Sequence, residues 1–268
     1  MPVVEIEIRD HVAVLTLNRP EARNALNPEL IVALARSWEQ LADDEAVRAI
    51  VITGAEGSTF CAGFDLGTTI PIMTGSREPQ DEYEQAVADD ISLMGRATLR
   101  DFDTGKPTIA AVNGHAIAGG MELMLACDLR TVASGVRLGL SEVALGLIPG
   151  MGGTARLARH LPTAIAMELL LTAQPMSSDV LATTGLINHL VPAEDVLAAA
   201  VDLATTIASN APLAARAARS VIRVCDDLTE ADALALEAKR VSELTETDDA
   251  REGPLAFIEK RAPIFTGH

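Results

Sequence analysis

Between Thr108 and Ala133 the chain alternates short apolar runs with glycine-marked breaks, and this order narrows the fold more than any other stretch. Thr108-Ile-Ala-Ala-Val112 reads as a buried strand, Gly120 to Cys127 as a short helix and Leu129-Arg-Thr-Val-Ala133 as another strand. Ala49-Ile-Val-Ile52, closed by Thr53-Gly54, adds a further apolar strand, and the strand, loop, helix order recurs without a strict sequence repeat. The chain is 49% hydrophobic but only 3% aromatic, so the core is built from Ala, Val, Leu and Ile, which suits helices lying closely on a sheet. An α/β fold follows, and 268 residues suffice for one main domain with a helical appendage.

Upstream, Val3 to Ile8 and His11 to Leu17 alternate around Arg9-Asp10 as a β-hairpin, and Asn27-Pro28 supplies an N-cap and an N1 proline for an amphipathic helix through Leu30, Ile31, Leu34 and Leu41. Gly67 to Gly105 is polar and mixed, with helical signals at Tyr83 to Leu99. After Pro192 the pattern is almost wholly helical: Ala193 to Ser209, Pro212 to Cys225, Glu230 to Thr245, and a last short helix opened by Gly253-Pro254. Residues 1–192 therefore read as the core and 193–268 as a helical subdomain suited to oligomerisation.

A formal net charge of −17 repels phosphate backbones, so nucleic-acid binding is not expected, and an anionic ligand would need locally placed Arg, Lys or backbone N–H groups. Cys61, Cys127 and Cys225 stand at no metal-ligand spacing, which fits a reducing, cytoplasmic setting without disulfides. No metal site is expected, and neither a signal peptide nor a membrane span is visible.

Two glutamates stand alone in apolar surroundings. Glu122 follows Gly119-Gly120 within Met121-Glu-Leu-Met-Leu-Ala126, and Glu142 precedes Val143-Ala-Leu-Gly-Leu-Ile148. Removing a carboxylate from water without a partner costs several kcal/mol or forces protonation, so the two form a candidate acid/base pair beside a glycine-exposed anion hole. Taken singly, Glu122 could be a first-turn carboxylate favoured by the helix dipole, and Glu142 a surface residue at a strand end.

Four segments in order carry a resemblance. They are Leu17-Asn18-Arg19-Pro20 with Arg23-Asn24-Ala25-Leu26-Asn27; Phe60-Cys61-Ala62-Gly63-Phe64-Asp65-Leu66; Val112-Asn113-Gly114-His115 through Glu122-Leu123; and Gly146 through Gly152-Gly153. Together they resemble the enoyl-CoA hydratase/isomerase (crotonase) family nearly end to end. The resemblance implies a spiral of strand-strand-helix units with a C-terminal helical subdomain that assembles trimers or pairs of trimers. It implies an oxyanion hole from the N–H groups of Ala62 and Gly119, with Glu122 and Glu142 as the catalytic pair, acid and base unassigned. Arg23, Ala25, Gly63, Phe64, Asp65, Leu66, Gly120 and Lys260 are the implied acyl-CoA contacts, Lys260 through a neighbouring subunit. Retention of both glutamates points to hydration of a trans-2-enoyl-CoA, as in fatty acid β-oxidation, with coenzyme A arriving as part of the substrate and no separate cofactor. Double-bond isomerisation, another acyl-CoA lyase reaction of the family, and a non-catalytic acyl-CoA-binding protein are the alternatives. Phe64 departs from the small residue common at its position, and either narrows the acyl pocket or packs outward.

Other patterns lead elsewhere. Gly150-Met151-Gly152-Gly153-Thr154-Ala155 lies mid-chain after Pro149, out of place for a dinucleotide fingerprint, and Gly105-Lys106 runs into Pro107 rather than a phosphate loop. Ser141 lacks a nucleophile elbow, Cys61 has no recognisable histidine partner, and His115 reads as a loop residue.

Overall fold

The structure, a computed structural model, describes residues 1–55, 57 and 59–268. Strands β1 (Val4–Arg9) and β2 (Val12–Leu17) form the expected antiparallel hairpin. Its turn is Asp10-His11, both at positive φ (47° and 68°), the backbone hand that matches strand twist. Helix α1 (Pro28–Asp43) begins where the Asn27 side chain accepts the Leu30 N–H at 3.0 Å, and buries Leu30, Ile31, Leu34, Trp38 and Leu41.

From there the chain lays strands alternately into two sheets. β3 (Ala49–Gly54) is followed by β4 (Thr59–Cys61). Three short helices, α2 (Thr69–Met73), α3 (Glu82–Asp89) and α4 (Ser92–Ala97), occupy the mixed stretch, and Trp38 Nε1 donates to Ala97 O to fasten α4 to α1. β5 (Thr108–Val112), β6 (His115–Ile117) and α5 (Gly119–Ala126) make the next turn, and β7 (Leu129–Ala133) with β8 (Arg137–Gly139) the one after. Next come α6 (Gly153–His160), α7 (Thr163–Thr172), β9 (Met176–Ser177), α8 (Ser178–Ala182) and β10 (His189–Val191).

The six-stranded sheet runs β1-β2-β3-β5-β7-β10, parallel from β2 onward, and the four-stranded sheet runs β4-β6-β8-β9. Each turn thus contributes one strand to each sheet, which is the strand-strand-helix spiral. Buried on both faces, β3 and β5 have no polar alternation, as parallel strands under helices require.

The last helices are α9 (Val196–Ala208), α10 (Pro212–Ile222), α11 (Glu230–Leu244) and α12 (Asp248–Glu259). α9 lies on β2, β3, β5 and β7, with Val196, Ala200, Ala204 and Ala208 in the core, so the helical region after Pro192 begins as cover for the sheet. Asp128, just before β7, clamps α10 by pairing with Arg219 at 2.7 Å and Arg223 at 2.8 Å. The final helix does not open at Gly253-Pro254. It starts at Asp248, where Thr247 caps it by accepting the Ala250 N–H, and Pro254 lies inside. Among the described residues no single helix is long and apolar enough to cross a membrane.

Candidate active site

Helix α5 delivers the first carboxylate. Ala118, just before it, adopts φ 52° and ψ −125°, a region costly for a side chain, and donates its N–H to Gly139 O at 2.8 Å. This bend carries the chain from β6 into α5, and the Gly119 N–H at the helix start has no hydrogen-bond partner among the described residues. Gly120 is needed for packing, since a Cβ there would sit 2.1 Å from Cys61 O.

Glu122, one turn further on, is 1% exposed, and its Oε1 accepts the N–H groups of Met151 at 2.7 Å and Gly153 at 2.8 Å. Those donors belong to the start of α6, where unsatisfied N–H groups and the helix dipole favour an anion. Burial pushes the Glu122 carboxyl up from its ordinary range, and the Gly153 and Met151 N–H groups with the nearby Arg156 charge pull it back. Gly153 leaves the necessary room, because a Cβ would lie 2.9 Å from both Cγ and Oε1 of Glu122. Arg156 donates to Met151 O at 3.2 Å and Leu99 O at 2.7 Å, fixing the turn that presents the Met151 N–H.

Glu142 opens the short 3-10 turn Glu142–Leu145 after β8. Its Oε2 is buried with no hydrogen-bond partner among the described residues. Burial and the Glu122 charge push its carboxyl up to about 7, against weaker opposition from its own and the Ser141 N–H. Both carboxyls are thus raised by burial, but Glu122 Oε1 is held by two donors from another loop, whereas Glu142 Oε2 has no partner among the described residues.

The expected oxyanion donor Ala62 is corrected by the backbone: its N–H donates to Arg23 O at 3.1 Å and is spent. Two residues on, Leu26 N–H donates to Gly63 O at 2.8 Å and Asp65 N–H to Leu26 O at 3.1 Å, a single parallel bridge. In that pattern the groups of Phe64 itself face away from the bridge, and the Phe64 N–H has no partner among the described residues. Gly63, at φ 90°, lets the two loops meet, because a Cβ there would fall 3.0 Å from Gly119 N and 2.8 Å from Ala118 Cβ. Phe64 and Gly119 thus supply the paired free donors.

The implied coenzyme contacts divide. Arg23 is exposed at φ 55°, and no ion pair occupies its guanidinium among the described residues. Leu66 is 61% exposed. Ala25 holds its loop, as its N–H donates to Ala22 O and its C=O accepts from Asn27 and Arg19. Asp65 holds the loop after it: Oδ1 accepts the Gly67 and Thr68 N–H groups, and Oδ2 faces Arg19 at 3.7 Å. Gly120 acts by letting α5 approach β4. Lys260 caps α12 at φ 57°, exposed, and within one chain no hydrogen bond or ion pair among the described residues joins it to the site. Cys61 is no nucleophile, as burial pushes its thiol up to about 12. The residues that sequence reasoning missed are Phe64 as a donor and Met151, Gly153 and Arg156 as the cradle of Glu122. Only the glycine cluster at 150–153 marked that cradle, without linking it to Glu122.

A family model described as enoyl-CoA hydratase/isomerase matches residues 7–268. The chain belongs to the enoyl-CoA hydratase/isomerase family. It is 37% identical to the enoyl-CoA hydratase EchA19 of Mycobacterium tuberculosis, over 98% of this chain and 96% of that one. It is 36% identical to the (E)-benzylidenesuccinyl-CoA hydratase of Thauera aromatica over the full length of both. Among solved structures it superposes on an enoyl-CoA hydratase of Bacillus anthracis with a TM-score of 0.89 at 32% identity, covering 99% of this chain and 100% of the other. An enoyl-CoA hydratase of Mycobacterium tuberculosis gives a TM-score of 0.88 at 36% identity over the whole of both chains. The chain is thus a crotonase-family enzyme with a crotonase fold.

Proposed function

We propose that this chain adds water to a trans-2-enoyl-CoA to give a 3-hydroxyacyl-CoA. The observation that carries the reading is the split between the carboxylates: Glu122 Oε1 is held by two N–H groups, while Glu142 Oε2 is buried with no partner among the described residues, where burial pushes its carboxyl up to about 7. Burial, and after it the Glu122 charge, favours the proton on Glu142, whereas the Met151 and Gly153 N–H groups favour the charged form of Glu122, so Glu122 is assigned the base and Glu142 the acid.

The thioester oxygen is received by the N–H groups of Phe64 and Gly119. Glu122 takes a proton from water as the water oxygen bonds to C3, and the C2=C3 electron pair moves onto the thioester oxygen as an enolate. Glu142 then gives its proton to C2, the enolate collapses, and the proton on Glu122 is passed back through solvent to Glu142. Preorganised donors at the enolate oxygen and acid/base groups on water are each worth roughly 10²-fold or more in rate. The coenzyme is part of the substrate and no further cofactor is required. Arg23 is the proposed coenzyme contact within the chain, and Lys260 the one offered to a neighbouring subunit.

Exposed apolar side chains on the C-terminal helices, including Phe257 at 85%, support a homotrimer or dimer of trimers. The free thiols of Cys61, Cys127 and Cys225 support a cytoplasmic setting. The test is a panel of trans-2-enoyl-CoA thioesters followed by ultraviolet loss of the conjugated thioester. Loss of absorbance with formation of 3-hydroxyacyl-CoA is expected. Binding without turnover would leave an acyl-CoA-binding protein, and migration of the double bond of a 3-enoyl-CoA without hydration would leave an isomerase.

A further inference from the structure

The bulky Phe64 is set at the one loop where its own backbone supplies an oxyanion donor. Its ring is half-buried against the core, and the ring edge lies 3.1 Å, at both Cδ2 and Cε2, from where a Cβ on Gly119 would stand. The edge therefore rests on the Cα of Gly119, the residue that presents the second donor. Beside the ring, Gly63 crowds the same residue: its Cα lies 3.5 Å from that ideal Gly119 Cβ, and the Gly119 nitrogen lies 3.0 Å from an ideal Gly63 Cβ. Gly119 thus meets Gly63 and the Phe64 ring together on its open side, at the point where the strained Ala118 feeds α5. The Leu26 bridge and the Ala118 N–H to Gly139 O bond fix the two loops separately, no hydrogen bond among the described residues ties either free N–H, and the direct contact between the loops here is van der Waals.

We propose that Phe64 is a positioning residue for the oxyanion hole, supplying one donor from its backbone and fixing the other through its ring. The inference rests on the hydratase reading, in which these N–H groups receive the thioester oxygen. An oxyanion donor acts through its placement relative to the developing charge, so a small displacement weakens the transition state more than ground-state binding. Phe64→Ala keeps the backbone N–H and removes the ring. The expected result is a fall in kcat of about tenfold, short of the loss for deleting a donor, with KM within about twofold. Phe64→Leu, which keeps apolar bulk against Gly119, restores most of the rate.

A readout independent of turnover is the absorption of a bound para-aminocinnamoyl-CoA thioester, whose band moves to the red as its carbonyl is polarised by hydrogen bonds. Wild type is expected to shift the band, Phe64→Ala to shift it less, and Phe64→Leu to approach wild type. Gly119→Ala gives a second arm with Phe64 in place: the added methyl presses on the ring, and the red shift again shrinks. A red shift in wild type that persists undiminished in Phe64→Ala, with kcat unchanged, overturns the positioning role and leaves the hydratase reading intact. Absence of a red shift in wild type overturns the oxyanion reading itself, and the inference with it.

Discussion

Glu122 and Glu142 carry the same functional group and differ in what surrounds it. The first spends one oxygen on two backbone donors, and the second has a buried oxygen with no partner among the described residues. Because Glu142 stands at about 7, its acid form is lost as pH rises through that value, so kcat/KM is expected to fall on the alkaline side with an apparent pKa near it. The stability effect has the same origin. The folded-state value lies above the ordinary 4.5, so the folded chain holds a proton that the unfolded chain has released between 4.5 and about 7, and stability falls as pH rises through that window. Glu142→Gln removes the penalty, and thermal melts are expected to show its Tm advantage over wild type growing from pH 5 to pH 8; an advantage constant with pH would contradict the buried, protonated acid. At Arg23, exposed and without an ion pair among the described residues, Arg23→Glu is expected to weaken coenzyme A binding most at low salt, and calorimetry with equal affinities would remove Arg23 from the site. Both glutamates and Gly119 were legible as candidates in the sequence because isolated carboxylates and a glycine pair are local signals. Moving the donor from Ala62 to Phe64 was not, since the choice depends on Leu26 pairing with the loop across the fold.

At the scale of elements, the site is the meeting of two helix starts, α5 and α6, with glycines at both. Gly153→Ala is expected to push Glu122 out of its cradle, lowering kcat by about tenfold or more with little loss of stability, as its Cβ meets a side chain. Gly120→Ala instead drives a Cβ into the backbone of Cys61 and is expected to cost about 1–3 kcal/mol in urea unfolding. A Gly120→Ala protein as stable as wild type would contradict the close approach of α5 to β4. The hairpin, α1 and the strands were readable because alternation, the Asn27 cap and short apolar runs are written locally. The start of α12 was misplaced because the proline rule favours an opening at Pro254, whereas Thr247 supplies the cap and Asp249 adds a tie to the tail by accepting the Thr266 and Gly267 N–H groups.

Across the whole molecule, the spiral buries the chemistry in the first part of the chain and leaves an apolar surface on the last. α11 has no buried residue, and Phe257, Ile258 and Ile264 are 85%, 75% and 74% exposed. Light scattering at micromolar concentration is expected to give a trimer or a dimer of trimers, with Phe257→Asp dissociating it while leaving the far-ultraviolet circular dichroism unchanged; a stable wild-type monomer would contradict this. The sequence points to an assembly only as a helical run needing a partner, because a sequence does not say which face another chain covers. The central claim is the division of labour between the glutamates, and its most direct test is hydration of trans-2-butenoyl-CoA by wild type, Glu122→Gln and Glu142→Gln under identical conditions. Each amide is predicted to hydrate at least ~10²-fold more slowly with binding largely intact. A Glu142→Gln enzyme that hydrates at the wild-type rate would contradict the account.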